Sequence, residues 1–345
     1  MVLKIVNTLA EPGITYGEKL LEFSEVSLQN GYWVSEEDLK TYTQDADGII
    51  CSSPIQNWTP RIMEGLSRCR IIATVSIGYD RIPIEVATQM GIVVTNIPDY
   101  CIDEVSNQAI CFILALGRKL LTIDKAIKER PLFLHPNNRK GLAEVAHPIL
   151  RLRDQTLGII GLGRIGTAVA LKARGLGMRV IACDPYVFGS VMLSRGVAPV
   201  DLDTLFRESD FISIHASLND ETRGMIGSEQ FQKMKPSSYI INTARAGILR
   251  EQDLIQAIER GLIPGAGLDV TANEPISPDS PLLKLPNVLL TGHSAWYSTA
   301  SDSPSEYWHK PMKQVVMALK GMWPTYAVNP EVKGKWLERW GSKAR

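Results

Sequence analysis

Thr156-Leu157-Gly158-Ile159-Ile160-Gly161-Leu162-Gly163-Arg164-Ile165-Gly166 runs from an apolar strand pattern through Gly-x-Gly-x-x-Gly into a helical repeat. Such a turn suits a dinucleotide. Gly161 allows the tight strand-to-helix turn, Gly163 lets backbone N–H groups approach a pyrophosphate at the positive end of a helix, and Gly166 lets helix and strand pack closely. Methyltransferases and plain glycine turns also carry such triplets, so the context decides. Here the next apolar run, Met178-Arg179-Val180-Ile181-Ala182-Cys183, is closed by Asp184, 23 residues after Gly161. A carboxylate at that place can bind both ribose hydroxyls, so residues 156–184 read as a dinucleotide-binding unit.

Downstream, short apolar runs alternate with helical patterns. Gly161–Gly175, Leu202–Arg207 and Glu251–Arg260 are predicted helices; Val180–Cys183, Phe211–His215, Tyr239–Asn242 and Ala266–Val270 are predicted strands, with Gly227–Met234 between the second and third of these strands. A last apolar run, Val288-Leu289-Leu290-Thr291, leads into Gly292-His293, and Glu306–Leu319 reads as a helix whose position in the chain suits a return to the first domain. The pattern is that of a doubly wound parallel sheet. Upstream, Leu3–Val6, Ile49-Ile50-Cys51, Ile71–Val75 and Ile92-Val93-Val94 give a second parallel α/β pattern over residues 1–98. Two of its strand ends carry distinctive turns, Ser52-Ser53-Pro54 and Ser76-Ile77-Gly78-Tyr79-Asp80. A long helix is predicted from Asp103 to about Leu121, after a candidate hinge at Pro98–Cys101. Residues 130–154, with Pro131, Pro136 and Pro148, read as irregular, suiting either a subunit-interface arm or a surface loop.

The 345 residues exceed what one hydrophobic core usually supports, so two domains are expected. Lys+Arg and Asp+Glu are both 37, for a net charge of zero without a long basic run; nucleic acid and anionic membrane are poor partners for such a chain, and small ligands suit it better. The five cysteines are scattered without a Cys-x-x-Cys pair, which speaks against a disulfide framework or a zinc site and for reduced thiols in the cytoplasm. No apolar run approaches the length of a membrane span, and the start reads as a first strand rather than a signal segment.

Read together, Thr156–Gly166, Phe211-Ile212-Ser213-Ile214-His215 with Glu221-Thr222-Arg223-Gly224, Met234-Lys235-Pro236, Ile241-Asn242-Thr243-Ala244-Arg245, Gly267-Leu268-Asp269-Val270 through Asn273-Glu274-Pro275, and Thr291–Ser298 resemble the D-isomer-specific 2-hydroxyacid dehydrogenases. That family takes in phosphoglycerate, glycerate and formate dehydrogenases and the C-terminal binding protein corepressors. The resemblance covers nearly the whole chain, most firmly residues 71–300. It implies two doubly wound α/β domains with a cleft between them: a flavodoxin-like substrate domain from residues 1–101 and 297–345, and an NAD-binding Rossmann domain from residues 102–296. It also implies a homodimer built through the coenzyme domains. The cleft is expected to close about crossings at Tyr100–Ile102 and Ser294–Thr299, since bound substrate must exclude water.

Reducing a 2-oxo acid needs a cation for the carboxylate and carbonyl, a proton donor for the developing alkoxide, and a positioned hydride source. Arg245 ends the strand Tyr239–Asn242, and its fork suits a planar carboxylate; taken alone it is equally a surface arginine in an ion pair. His293 follows another apolar run and is a candidate general acid, though a lone strand-end histidine is more often structural. By resemblance, Glu274 hydrogen-bonds this histidine and stabilises imidazolium; otherwise it reads as an exposed loop acid before Pro275. The formate dehydrogenases, which transfer no proton, carry Gln there.

The resemblance further implies that Arg164 and Ile165 line the pyrophosphate, His215 lies beside the adenosine half, Asp269 holds the nicotinamide carboxamide, and Ala244 and Ala295 contact the cofactor. Ser76, Ile77 and Gly78 would offer backbone N–H groups to the substrate carboxylate, and Trp296 would lie over the substrate. The bland alternatives are a capped core histidine, a plain strand-to-helix turn and a junction tryptophan. Ala246, Gly292 and Val105 depart from the usual Gly, Pro and Thr of the family. The reading is an NAD-dependent oxidoreductase of D-2-hydroxy acids, without a metal; the alternative is an NAD(H)-sensing corepressor-like dimer. No cluster of Arg in the N-terminal turns suggests a phosphorylated substrate, and Trp58, Tyr79, Tyr100 and Trp296 are compatible with an apolar one.

Overall fold

The computed structural model describes residues 2–10, 26–131, 135 and 137–342. The chain forms two compact units, Met1–Tyr100 with Ser298–Arg345, and Cys101–Tyr297. The first begins with β1 (Leu3–Asn7), β2 (Val26–Asn30), α1 (Glu36–Thr43), β3 (Gly48–Cys51), α2 (Pro60–Met63), β4 (Ile71–Thr74), α3 (Ile84–Met90) and β5 (Val93–Thr95). Its strands pair in parallel in the order β2-β1-β3-β4-β5, the flavodoxin-like doubly wound order. Every residue of β3, β4 and β5 is buried, which is why these strands appear as unbroken apolar runs rather than alternating ones.

The second unit holds α4 (Ile102–Gly117), α5 (Leu120–Glu129), α6 (Arg139–Ala146), β6 (Thr156–Ile160), α7 (Arg164–Gly175), β7 (Arg179–Cys183), α8 (Gly189–Ser194), β8 (Ala198–Pro199), α9 (Leu202–Glu208), β9 (Phe211–Ile214), α10 (Ser228–Lys233), β10 (Tyr239–Asn242), α11 (Glu251–Glu259), β11 (Ala266–Leu268) and β12 (Val288–Leu290). Its seven parallel strands run in the order β12-β11-β10-β9-β6-β7-β8. The order reverses between β6 and β9, so the fingerprint turn after β6 opens at the switch point where such sheets bind ligands. One face is covered by α4 and α7, whose Phe112, Ile113, Val169 and Ala173 bury against Leu157, Ile159 and Ile241. The other carries Leu205, Phe206, Phe231 and Leu254 against Ile160, Ile212 and Ile240. Each such side chain contributes roughly 1.5–3 kcal/mol by leaving water.

The chain then completes the first unit with α12 (His309–Leu319) and α13 (Lys333–Trp340). α12 lies on β3 and β4, where Gly48 makes room: a Cβ there would meet Val315 Cγ1 at 2.8 Å. Trp336 of α13 is fully buried, donates its indole N–H to Arg70 O at 2.8 Å, and meets Trp323 edge-on at 5.6 Å. These contacts tie the tryptophan-bearing tail into this unit.

Two expectations are corrected. The long helix does not reach Leu121: α4 ends at Gly117 and the chain restarts as α5 after Lys119, which sits in the left-handed region at φ 54°. Its ammonium offsets that local cost by donating to Tyr239 Oη at 2.6 Å. Residues 130–154 are not wholly irregular either. Asn138 accepts the Gly141 N–H at 2.9 Å and caps α6, a stretch that contains none of the three prolines. Pro136 and residues 132–134 of this segment lie outside the described residues. All five cysteines are free thiols, and no helix among the described residues is long and apolar enough to cross a membrane.

Candidate active site

At the carboxyl edge of the seven-stranded sheet, Gly161 has φ 89°, and a Cβ there would lie 2.6 Å from Ala216 N. Only glycine fits both demands. A Cβ on Gly166 would come within 2.1 Å of Gly161 O, so the helix is packed hard against the turn. Gly163 caps α7 without a side chain, leaving the first N–H groups of a 12-residue helix without a side-chain acceptor at its positive end. The half-buried Asp184 accepts the Leu162 N–H at 2.7 Å and the Tyr186 N–H at 2.9 Å, which fixes the carboxylate beside the turn. Arg195, remote in sequence, donates to Leu162 O at 3.1 Å and Thr167 Oγ1 at 2.8 Å and so braces the following peptide of the same turn. Cradle, helix end and carboxylate fit a dinucleotide.

His215 immediately follows β9 on this edge, its Nε2 2.8 Å from Ser213 Oγ. Burial pushes the imidazole down to about 3, so the ring is neutral at physiological pH.

Arg245, Glu274 and His293 come from the turns after β10, β11 and β12. His293 Nδ1 stands 2.9 Å from Glu274 Oε2, with side chains 25% and 28% exposed. Burial alone raises the Glu274 carboxyl, but the hydrogen bond and charge of His293, the Thr271 N–H and the charge of Arg245 outweigh it and hold the group below the ordinary carboxylate range. With Nδ1 occupied by the carboxylate, Nε2 is the nitrogen left to exchange a proton. Arg245 is half-buried, and its Nη1 donates to Ala244 O at 2.9 Å. The turn carrying it is shaped by Asn242, fully buried, which accepts the Ala244 N–H at 3.0 Å and donates to Arg245 O at 2.9 Å.

Asp269 has a second use besides the one implied by resemblance. Its buried carboxylate accepts from Thr291 Oγ1 at 2.6 Å, Ser294 N at 2.9 Å and Ala295 N at 3.1 Å, and its carbonyl accepts from His293 N at 2.5 Å. The turn so clamped holds Gly292 at φ 61° and His293 at φ 59°. Trp296 follows it, half-buried and edge-on to Tyr297 at 5.5 Å.

The structure thus gathers Gly161–Gly166, Asp184, His215, Ala244, Arg245, Asp269, Glu274, His293 and Ala295 along the carboxyl edge of one sheet. Ser76, Ile77 and Gly78 belong to the other unit, on the turn that follows β4. Arg195, Asn242 and Thr291 escaped the sequence reading. Asn242 had one local signal, a polar residue ending an otherwise apolar strand.

The family model for the D-isomer specific 2-hydroxyacid dehydrogenase NAD binding domain matches residues 110–295. Over 296 residues the chain is 36% identical to a glyoxylate reductase of Korarchaeum cryptofilum, covering 84% of each. Among solved structures it is similar to the PH0520 protein of Pyrococcus horikoshii OT3, with TM-score 0.84 and 26% identity over 99% of this chain and 100% of that one. It is also similar to a D-lactate dehydrogenase of Aquifex aeolicus complexed with NAD and lactic acid, with TM-score 0.78 and 26% identity over 99% of each.

Proposed function

The chain belongs to the D-isomer specific 2-hydroxyacid dehydrogenases, and from that premise we propose that His293, Glu274 and Arg245 form one catalytic unit interconverting a D-2-hydroxy acid and its 2-oxo acid. The observation that carries this is the 2.9 Å pairing of His293 Nδ1 with a Glu274 carboxyl kept ionised beside Arg245. When bound, NAD(H) supplies or accepts the hydride at the 2-carbon. Gly161, Gly163, Arg164, Ile165 and Gly166 would hold its pyrophosphate, Asp184 its ribose and Asp269 its carboxamide, with His215 near the adenosine and Ala244 and Ala295 in contact. The Arg245 fork takes the substrate carboxylate and stabilises the developing oxyanion. His293 delivers the proton from Nε2, and Glu274 favours the charged imidazole that carries it. Ser76, Ile77 and Gly78 supply backbone donors to the substrate carboxylate, and Trp296 covers the substrate.

The dehydrogenase reading stands above the NAD(H)-sensing alternative, since the relatives with named activities are a reductase and a dehydrogenase. Glyoxylate and lactate differ in side chain, so the family alone does not choose the acid. A panel of 2-oxo acids with NADH and NADPH, followed at the nicotinamide absorbance, tests the proposal. At least one acid should turn over, with NADH bound more tightly, because Asp184 repels a 2′-phosphate. No turnover of any acid with either cofactor overturns the activity; tighter NADPH binding overturns the cofactor preference.

The same unit offers a homodimer surface: Leu120 and Leu121 on α5 are 59% and 53% exposed, and Leu142 on α6 is 42% exposed. Sedimentation at micromolar concentration should return twice the 38.2 kDa chain mass; a single-chain mass would rule the dimer out. The free thiols suit a reducing compartment such as the cytoplasm.

A further inference from the structure

The turn after β4 has all three of its carbonyls tied inward. Ser76 O accepts from Ile97 N at 3.2 Å, Ile77 O from Asn96 Nδ2 at 2.7 Å, and Gly78 O from Ser76 Oγ at 2.7 Å. A trans peptide is planar and sets its C=O and N–H in opposite directions. Anchoring the Ser76 and Ile77 carbonyls therefore turns the N–H groups of Ile77 and Gly78 the other way. Neither of these donates to any acceptor among the described residues. Consecutive outward N–H groups of this kind make a concavity for an anion.

Of the three anchors, one is main chain to main chain and one lies within the turn itself. The third is a side chain from just beyond another strand. Asn96, 9% exposed, immediately follows β5, and its own N–H is tied to Tyr326 O at 3.4 Å. The main chain that carries the side-chain amide is thus held by the returning C-terminal segment, where Thr95 and Ala327 also form a bridge at the sheet edge.

We infer that Asn96 is a positioning residue for the substrate carboxylate: by holding the Ile77 carbonyl inward it aims the Gly78 N–H at the acid. Asn96 touches neither substrate nor cofactor and acts through the peptide between Ile77 and Gly78. The inference rests on the reading that this turn receives the carboxylate. A freely turning peptide would spend part of its time with carbonyl oxygen facing the anion, so losing the anchor weakens acid binding rather than the chemical step.

The test compares the wild type with Asn96→Ala, Asn96→Asp and Gly78→Pro, measuring kcat, KM for an accepted 2-oxo acid and the NADH dissociation constant. A thermal midpoint and a near-ultraviolet circular dichroism spectrum close to wild type report that the unit carrying Asn96 is folded, and NADH binding within about twofold of wild type reports that the cofactor residues of the other unit are undisturbed. Asn96→Ala should raise the oxo-acid KM by about 3- to 10-fold, the usual worth of one hydrogen bond, with kcat nearly unchanged. Asn96→Asp should raise it further, since a carboxylate cannot donate to Ile77 O and repels the acid. Gly78→Pro, which deletes the N–H itself, should raise KM at least as much as Asn96→Ala. A fall in kcat at unchanged KM in Asn96→Ala overturns the inference. A KM raised by Gly78→Pro but not by either Asn96 variant overturns it while leaving the turn as the carboxylate site. A KM unmoved by Gly78→Pro removes the underlying reading as well.

Discussion

His293→Ala should lower kcat by about 10²–10⁴, the usual worth of a positioned general acid. Arg245→Ala should weaken both substrate binding and the chemical step, because its cation serves the carboxylate and the developing oxyanion alike. Glu274→Gln separates positioning from proton transfer through pH. The Glu274 carboxylate, 2.9 Å from Nδ1, holds the His293 ring in place. A glutamine there does not titrate, so the acid limb that Glu274 protonation puts on the wild-type profile should be absent from the variant, and its kcat for ketone reduction should be lower at every pH. In the wild type, Glu274 is held below the ordinary carboxylate range, so loss of its support on acidification should set in only below that range. The pH profiles of kcat/KM in both directions decide this. Unmoved profiles in Glu274→Gln, or full activity in His293→Ala on every accepted acid, would return the chain to the NAD(H)-sensing reading.

What could be read from the sequence was whatever a short stretch dictates by itself. The fingerprint turn lies within 11 residues, and Asp184, Arg245 and His293 each come at or just beyond the end of an apolar run. A parallel sheet buried on both faces prints its strands as such runs, and the carboxyl edge follows from their ends. Glu274 needed the family resemblance, since a loop acid before proline carries no strand signal. The devices that place these groups were not legible, because each joins residues far apart in the chain. Arg195 reaches Leu162, Asn96 reaches Ile77, and Asp269 reaches Ala295, and no periodicity records such contacts. The overlong helix has the same origin, since the break before α5 is stabilised by Lys119 meeting Tyr239. Within residues 130–154 the prolines break regular structure at both ends, while Asn138 supplies a helix-start signal between them.

Gly292→Pro should lower kcat/KM by about 10²-fold or more while leaving NADH binding and the fold largely intact. The turn that presents His293 has two successive left-handed residues, Gly292 at φ 61° and His293 at φ 59°. For histidine that conformation costs roughly 1–2 kcal/mol. The Asp269 carboxylate and carbonyl offset it through the hydroxyl of Thr291 and the N–H groups of His293, Ser294 and Ala295. Proline is locked near φ −65° and cannot occupy the first of these positions. The substituted chain must enter the turn from another direction, giving up part of the Asp269 clamp and moving the imidazole off Glu274. A displacement of about 1 Å in a catalytic group is worth about 10² in rate. By the family resemblance proline usually precedes this histidine, whereas the backbone here, with φ 61° at residue 292, excludes it. Gly292→Ala is the control. A Cβ there meets no heavy atom within 4 Å, so alanine suffers only the backbone cost and should keep most of the activity at slightly lower thermal stability. If the proline variant turns over the oxo acid at the wild-type kcat/KM, the left-handed pair is not what holds His293 against Glu274, and the Asp269 clamp loses its assigned purpose.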